Sequence, residues 1–327
     1  MDWQGHYVCA DKALWQGRVD SPEGACFFQI IRTLDLKQLK PNKNPLAFAL
    51  LGFCCDEGIR RNHGRTGAAE GPRHIRQMLA KLSIHRDIDC YDAGDIICVD
   101  QDLEKAQLAL RSAVAHLIEQ GYIPIVLGGG HEVAFGHFMG ISDAYPHQKI
   151  GVVNFDAHLD MRPLLPEERG SSGTPFLQIA EWQKKLNLPF RYYCIGIQAA
   201  GNTRSLFATA KAFDTTFFLA DDLYQGKNEQ YKTFIENILN KDELLYLSLC
   251  LDVFSEPFAP GVSAPQPLGL HPWHVIPALR QLASSGKVVS YDLAELSPPH
   301  DISERTAKLA ALLIFEIIHS HKKRQSS

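Results

Sequence analysis

No uninterrupted apolar stretch in these 327 residues reaches the roughly 20 needed to span a bilayer, which excludes a membrane-spanning helix. A positive charge excess is missing too. The formal net charge is -4, and no interleaving of basic and aromatic residues appears, so a nucleic-acid-binding face is not expected. The eight cysteines include no C-x-x-C pair, and a chain of this length needs no disulfide framework. Buried free thiols in a reducing cytoplasm are the expectation. The opening residues MDWQGHYVCADKALWQGRVD lack the basic-then-apolar layout of a signal peptide, which also points to the cytoplasm. Internal repeats, low-complexity tracts and long linkers are absent. One domain over residues 1–327 is therefore expected, with an irregular N-terminal arm at 1–44 and a frayed tail at 320–327.

What is present is an alternation. Apolar runs of buried-strand type fall at Pro45–Phe53, Ile88–Ile97, Ile123–Leu127, Gly151–Phe155, Tyr192–Ile197, Leu244–Leu251 and Val288–Leu293. Helical spacing fills the intervals: from Gly71 to Leu82, Asp102–Gln120, after Gly130, Phe176–Lys184, Tyr231–Leu239, His271–Ala283 and Glu304–His319. Strands alternating with helices predict an α/β fold, a mostly parallel sheet with helices on both faces. In such folds function gathers beyond the carboxyl ends of the strands.

Four strand ends carry chemistry. Asn154–Arg162 reads NFDAHLDMR, and strand alternation lets Asp156, His158 and Asp160 face one way. Two carboxylates and an imidazole so placed make either a divalent-metal site or an ordinary solvated loop. After Ile123–Leu127 come Gly128, Gly129 and Gly130, then His131 and Glu132 at a helix entrance. That stretch lacks both the G-x-G-x-x-G spacing and the Lys-Ser/Thr ending of a phosphate loop. In Ser248–Val253 the period of two puts Cys250 and Asp252 on one face, followed by a small-residue loop, Ala259–Pro265. Ser290–Glu295 ends a strand with Asp292 and Glu295. Buried acids at adjacent strand ends are costly unless paired or metal-bound, and a dinuclear site accounts for the set.

In this order, GGGHE, DAHLD, SLCLDVFSEPFAPGVSAP and DLAEL resemble the signatures of the ureohydrolase superfamily of arginase and agmatinase, as does GRTGAAEGP at Gly64–Pro72. The resemblance runs from about Gly52 to Pro298. Within the superfamily, GGGHE, DAHLDMR and SSGTPF look most like the branch that hydrolyses a linear amidine of glutamate in histidine breakdown, releasing formamide. The resemblance implies a three-layer α/β/α fold, frequent homo-oligomers and two Mn²⁺ ions bridged by hydroxide. It implies that His131 and Asp160 ligate one ion, His158 and Asp252 the other, and that Asp156 bridges them. Cys250 falls at a second bridging position, and Glu295 matches the acid that holds the cationic end of the substrate.

Five positions depart from the family pattern. Thiolate is a softer donor than the carboxylate at the Cys250 position, so Cys250 is read as a ligand or as a buried strand thiol beside a weakened ion. Gly130 replaces Asp and Glu132 replaces Ser, either an exchange of the carboxylate that orients a ligand or a Glu that favours the helix dipole. Ser172 stands where relatives carry a proton-shuttling His. Arg162 follows the DAHLD ligands directly and is read either as a guanidinium clamp for a substrate bearing carboxylates or as a surface arginine of the loop. Gln198 and Asn202 are read as neutral hydrogen-bond partners of the same substrate end.

Overall fold

The computed structural model describes residues 3–20, 22, 24–44 and 46–323. Its strands are β1 (Tyr7–Val8), β2 (Arg32–Thr33), β3 (Ala47–Cys54), β4 (Asp89–Ile97), β5 (Ile123–Leu127), β6 (Ile150–Phe155), β7 (Arg191–Ile197), β8 (Thr216–Leu219), β9 (Leu244–Cys250) and β10 (Val288–Ala294). They form one sheet in the order β1-β4-β3-β5-β10-β9-β6-β7-β8, with β2 also paired to β4. Among the described strands of the sheet only the β1–β4 pairing is antiparallel. The helices are α1 (Phe27–Ile30), α2 (Glu57–Arg61), α3 (Gly71–Leu79), α4 (Leu103–Glu119), α5 (Val133–Ala144), α6 (Pro175–Lys185), α7 (Arg204–Ala212), α8 (Ala220–Tyr224), α9 (Asn228–Lys241), α10 (Pro272–Ala283) and α11 (Arg305–Ser320). No described helix is long and apolar enough to cross a membrane.

The strand period of two sorts side chains into two cores. Phe48, Leu50, Val153, Phe155, Leu247 and Leu249 face α3, α9, α10 and α11. Ala49, Leu51, Val126, Val152 and Tyr246 face α4, α5, α6 and α7. The result is the three-layer α/β/α arrangement. Helix α4 starts where the Asp102 side chain accepts the Lys105 amide, and it ends at Gly121, whose φ of 83° suits glycine.

The N-terminal arm differs from the expectation of an irregular segment. It adds β1 and β2 to the sheet, and two-residue pairings leave no periodicity to read. The sequence reading also missed α7, α8 and β8. Strand β8 is four residues at the sheet edge, and only Leu206 and Ala210 of α7 are buried, too few to draw an apolar stripe. At the other end α11 runs to Ser320, and His321 is buried with its Nδ1 2.7 Å from the Tyr291 hydroxyl. The rest of the expected tail from 324, and Pro45, lie outside the described residues. Strands β5, β10, β9 and β6 are neighbours at the centre, and their carboxyl ends bring the four motifs together.

Candidate metal centre

The loop after β5 is threaded by glycine. A Cβ on Gly129 would lie 1.6 Å from the Cys55 carbonyl oxygen, and the Gly130 N–H donates to that oxygen at 3.0 Å. This fixes the next residue, His131, which is buried with Nδ1 2.9 Å from Asp160 Oδ2 and 3.0 Å from Asp156 Oδ2. From the loop after β6, His158 places Nδ1 3.1 Å from Asp252 Oδ2 and 3.6 Å from Asp156 Oδ1. Two donor groups result: His131, Asp156 and Cys250, and Asp156, His158 and Asp252, each with its donor atoms within 4.8 Å of one another. Asp156 belongs to both. It is held by the His158 N–H at 2.7 Å and by Asn154 Nδ2 at 3.0 Å.

The field inside this cluster suits a cation. Burial pushes the His131 and His158 imidazoles down, but the Asp156, Asp160 and Asp252 carboxylates outweigh it and hold both well above the ordinary value. Burial raises Asp156 too, yet hydrogen bonds from the two imidazoles leave it well below the usual carboxylate range. Asp160 is pushed up to about 6 by burial and by the Asp156 charge, and Glu295 to about 7 by burial and by Asp252. Burial and the surrounding carboxylates also raise the Cys250 thiol. Asp252 Oδ1 and Glu295 Oε2 are buried without a hydrogen-bond partner. Acids stripped of water and partly unpartnered, beside imidazoles, fit divalent ions that favour oxygen and imidazole donors. Asp160 and Glu295 also sit at positive φ, 47° and 77°, strain that clusters at functional sites.

The expected substrate residues separate. Arg162 lines the cavity over the cluster, is exposed, and has no ion-pair partner among the described residues. Glu295 reaches the same cavity, and its Oε1 accepts the His131 N–H at 2.9 Å. Asn202 lines the same cavity, but both of its amide N–H groups go to the backbone. Oδ1 accepts the Leu159 N–H at 2.9 Å, and Nδ2 donates to the carbonyls of Ala157 at 2.9 Å and Gln198 at 2.8 Å. No donor is left for a substrate. Gln198 does not line the cavity, and its side-chain Nε2 is buried without a partner.

The changes at 130 and 132 are coupled. A Cβ on Gly130 would lie 2.1 Å from Glu132 Oε2, so the Glu132 carboxylate fills the space a side chain at 130 would need. Its Oε1 accepts the Gly58 N–H at 2.9 Å, and burial with the Glu295 charge pushes Glu132 up to about 8. Ser172 lines the cavity and accepts a hydrogen bond from Asn62 at 3.2 Å. Ser263 and Ala264, in the small-residue loop Ala259–Pro265, help wall the cavity; sequence reasoning missed Asn62 and His63 in the lining, and Gln266, whose Nε2 is 3.3 Å from His158 Nε2. It also missed Ser248, 2.9 Å from His131 Nε2, although the period of two runs straight through Ser248, Cys250 and Asp252.

Residues 46–319 match the arginase family model, and the chain belongs to the arginase family. Formimidoylglutamases are among its relatives. The chain is 46% identical over 317 residues to that of Legionella pneumophila strain Paris, covering 97% of this chain and 98% of the relative. It is 42% identical over 324 residues to that of Clostridium tetani, covering 96% of each. Among solved structures, Trypanosoma cruzi formiminoglutamase with Mn²⁺ aligns with a TM-score of 0.75 at 25% identity, covering 86% of this chain and 96% of that one.

Proposed function

We propose that the chain is a Mn²⁺-dependent hydrolase of linear amidines that converts N-formimidoyl-L-glutamate and water to L-glutamate and formamide. The carrying observation is that Asp156 belongs to two donor groups, each completed by its own histidine. That arrangement suits two ions, with His131, Asp160 and Cys250 on one side and His158 and Asp252 on the other. Two bound divalent ions would lower the pKa of a shared water and template its attack on an sp² carbon.

The chain's own residues supply the rest. The unpartnered Oε2 of Glu295 faces the cationic amidine and orients it for attack. Arg162, without a carboxylate of its own, clamps a carboxylate of the glutamate end by paired N–H donors. Burial of His131, Asp156, Asp252 and Glu295 keeps competing water from these charges. The relatives' shared name supports the substrate, and the Mn²⁺ in the Trypanosoma cruzi structure supports the metal.

Formamide release from formimidoylglutamate, measured with and without Mn²⁺ alongside metal content, tests the reading. Mn²⁺-dependent formamide with about two ions per chain is expected. Urea from arginine or agmatine, without formamide, would overturn the substrate; turnover indifferent to metal removal would overturn the centre.

A further inference from the structure

Behind His131 lies a buried polar chain that none of the proposed steps uses. His131 Nε2 is 2.9 Å from Ser248 Oγ, and Ser248 Oγ donates to Asp292 Oδ1 at 2.7 Å. The other carboxylate oxygen, Asp292 Oδ2, takes the Tyr246 hydroxyl and lies 2.8 Å from His137 Nδ1. His137 Nε2 is 2.6 Å from Ser290 Oγ, whose proton goes to the Pro124 carbonyl at 3.0 Å. Every one of these side chains is at most 1% exposed, and they sit in the apolar layer between the sheet and α5. Burying so many polar groups is expensive as a route to stability alone.

Proton counting gives the chain a direction. The Pro124 carbonyl can only accept, so Ser290 spends its single proton there and accepts from the His137 Nε2–H. Asp292 accepts from Tyr246 at one oxygen and from Ser248 at the other. Ser248 has then spent its proton and can only accept from His131 Nε2–H. With Nε2 committed to Ser248, Nδ1 is the His131 nitrogen that faces Asp156 and Asp160, the one a cation between those carboxylates would take.

We propose that Asp292 is a positioning residue for the metal centre, acting through Ser248 to keep the His131 proton on Nε2 and Nδ1 free to ligate, with His137 and Tyr246 holding its carboxylate. The proposal rests on the two-ion reading above. It makes an unusual demand of an isosteric change. In Asp292→Asn the Tyr246 hydroxyl, a donor at the Oδ2 position, selects the amide oxygen there, which turns the NH₂ toward Ser248. Ser248 then accepts from Asn and donates to His131 Nε2, driving the imidazole proton onto Nδ1, where the ion should bind.

Free Mn²⁺ measured by electron paramagnetic resonance during titration reads this out without turnover. Asp292→Asn should bind Mn²⁺ about tenfold to hundredfold more weakly, the usual effect of losing a ligand's hydrogen-bond partner. Ser248→Ala, which removes the acceptor without reversing the relay, should weaken binding less. The double variant should bind like Ser248→Ala alone, because without the hydroxyl the Asn cannot redirect the proton. That partial recovery separates the relay from a structural role, as would an unchanged melting temperature of metal-free Asp292→Asn. Wild-type affinity in Asp292→Asn, or a double variant weaker than both singles, overturns the relay. Absence of Mn²⁺ binding by the wild type overturns the two-ion reading and the relay with it.

Discussion

Replacing Asn202 by alanine tests whether this side chain serves the substrate or the loop. Its amide satisfies three backbone groups, of Leu159, Ala157 and Gln198, and the residue is 6% exposed. Two of the three lie in Asp156–Asp160, between the residues proposed as ligands. Each lost hydrogen bond costs about 1 kcal/mol, and more where the remaining partner stays buried and unsatisfied, so a loss of about 3 kcal/mol is expected. Freeing one residue of backbone also adds roughly 1–2 kcal/mol of ordering to be overcome when the ion binds, about tenfold in Mn²⁺ affinity. Urea unfolding of the metal-free protein reads the first quantity and a Mn²⁺ titration the second. At saturating Mn²⁺ the KM for formimidoylglutamate should stay nearly unchanged. If instead Asn202→Ala unfolds like the wild type, binds Mn²⁺ normally and raises KM, the amide belongs to the substrate and the reasoning from its saturated hydrogen bonds is wrong.

Arg162→Ala should raise KM for formimidoylglutamate by roughly tenfold to a hundredfold, the value of a charged hydrogen-bonded pair, with no change in melting temperature; an unaltered KM removes its role. Gly130→Asp should abolish metal binding, because its Cβ would meet Glu132 Oε2 at 2.1 Å, and adding Glu132→Ser should restore it. Metal content of the two proteins decides the matter, and a metal-free double variant refutes the exchange. His321 is held down to about 4 by burial and then by the Arg86 charge, against 6.5 in the unfolded chain. Between those values the unfolded chain takes a proton that the folded chain does not, so stability is full above 6.5 and falls with pH through the window. The loss approaches about 3 kcal/mol, at 1.36 kcal/mol per unit. Unfolding measured from pH 7 to pH 4 should show a shallower decline for His321→Phe; an equal slope places the acid sensitivity elsewhere.

The central strands were legible because each is a continuous apolar run whose end carries acids, and burial on both faces demands such a pattern. Asp156, His158, Asp160, Cys250 and Asp252 drew notice because they follow those runs, but strand alternation is not what gathers them: Asp156, His158 and Asp160 lie past the end of β6, with Asp160 at a φ of 47°, and Asp252 lies in a turn past the end of β9. The function of Asn202 was not legible. An amide that binds backbone looks in sequence like an amide that binds substrate, and only the positions of Ala157, Leu159 and Gln198 separate the two. The pairing of Gly130 with Glu132 was visible as two substitutions. Its cause, one carboxylate filling one vacant Cβ position, needed the helix entrance in three dimensions. Short edge elements such as β1, β2 and β8 bury too few residues to leave a pattern.

The order of the sheet also sets a timetable. Strand β10 is the last of the described strands to be synthesised, yet it lies between β5 and β9. Before it arrives the chain holds two unjoined half-sheets, β1-β4-β3-β5 carrying His131 and β9-β6-β7-β8 carrying Asp156, His158 and Cys250. A nascent chain still missing residues 288–294 therefore has no template to unite His131 with His158, and closing that long loop is the slow kind of event. Any metal held between His131 and His158 would then be taken up only after β10 has joined the two half-sheets.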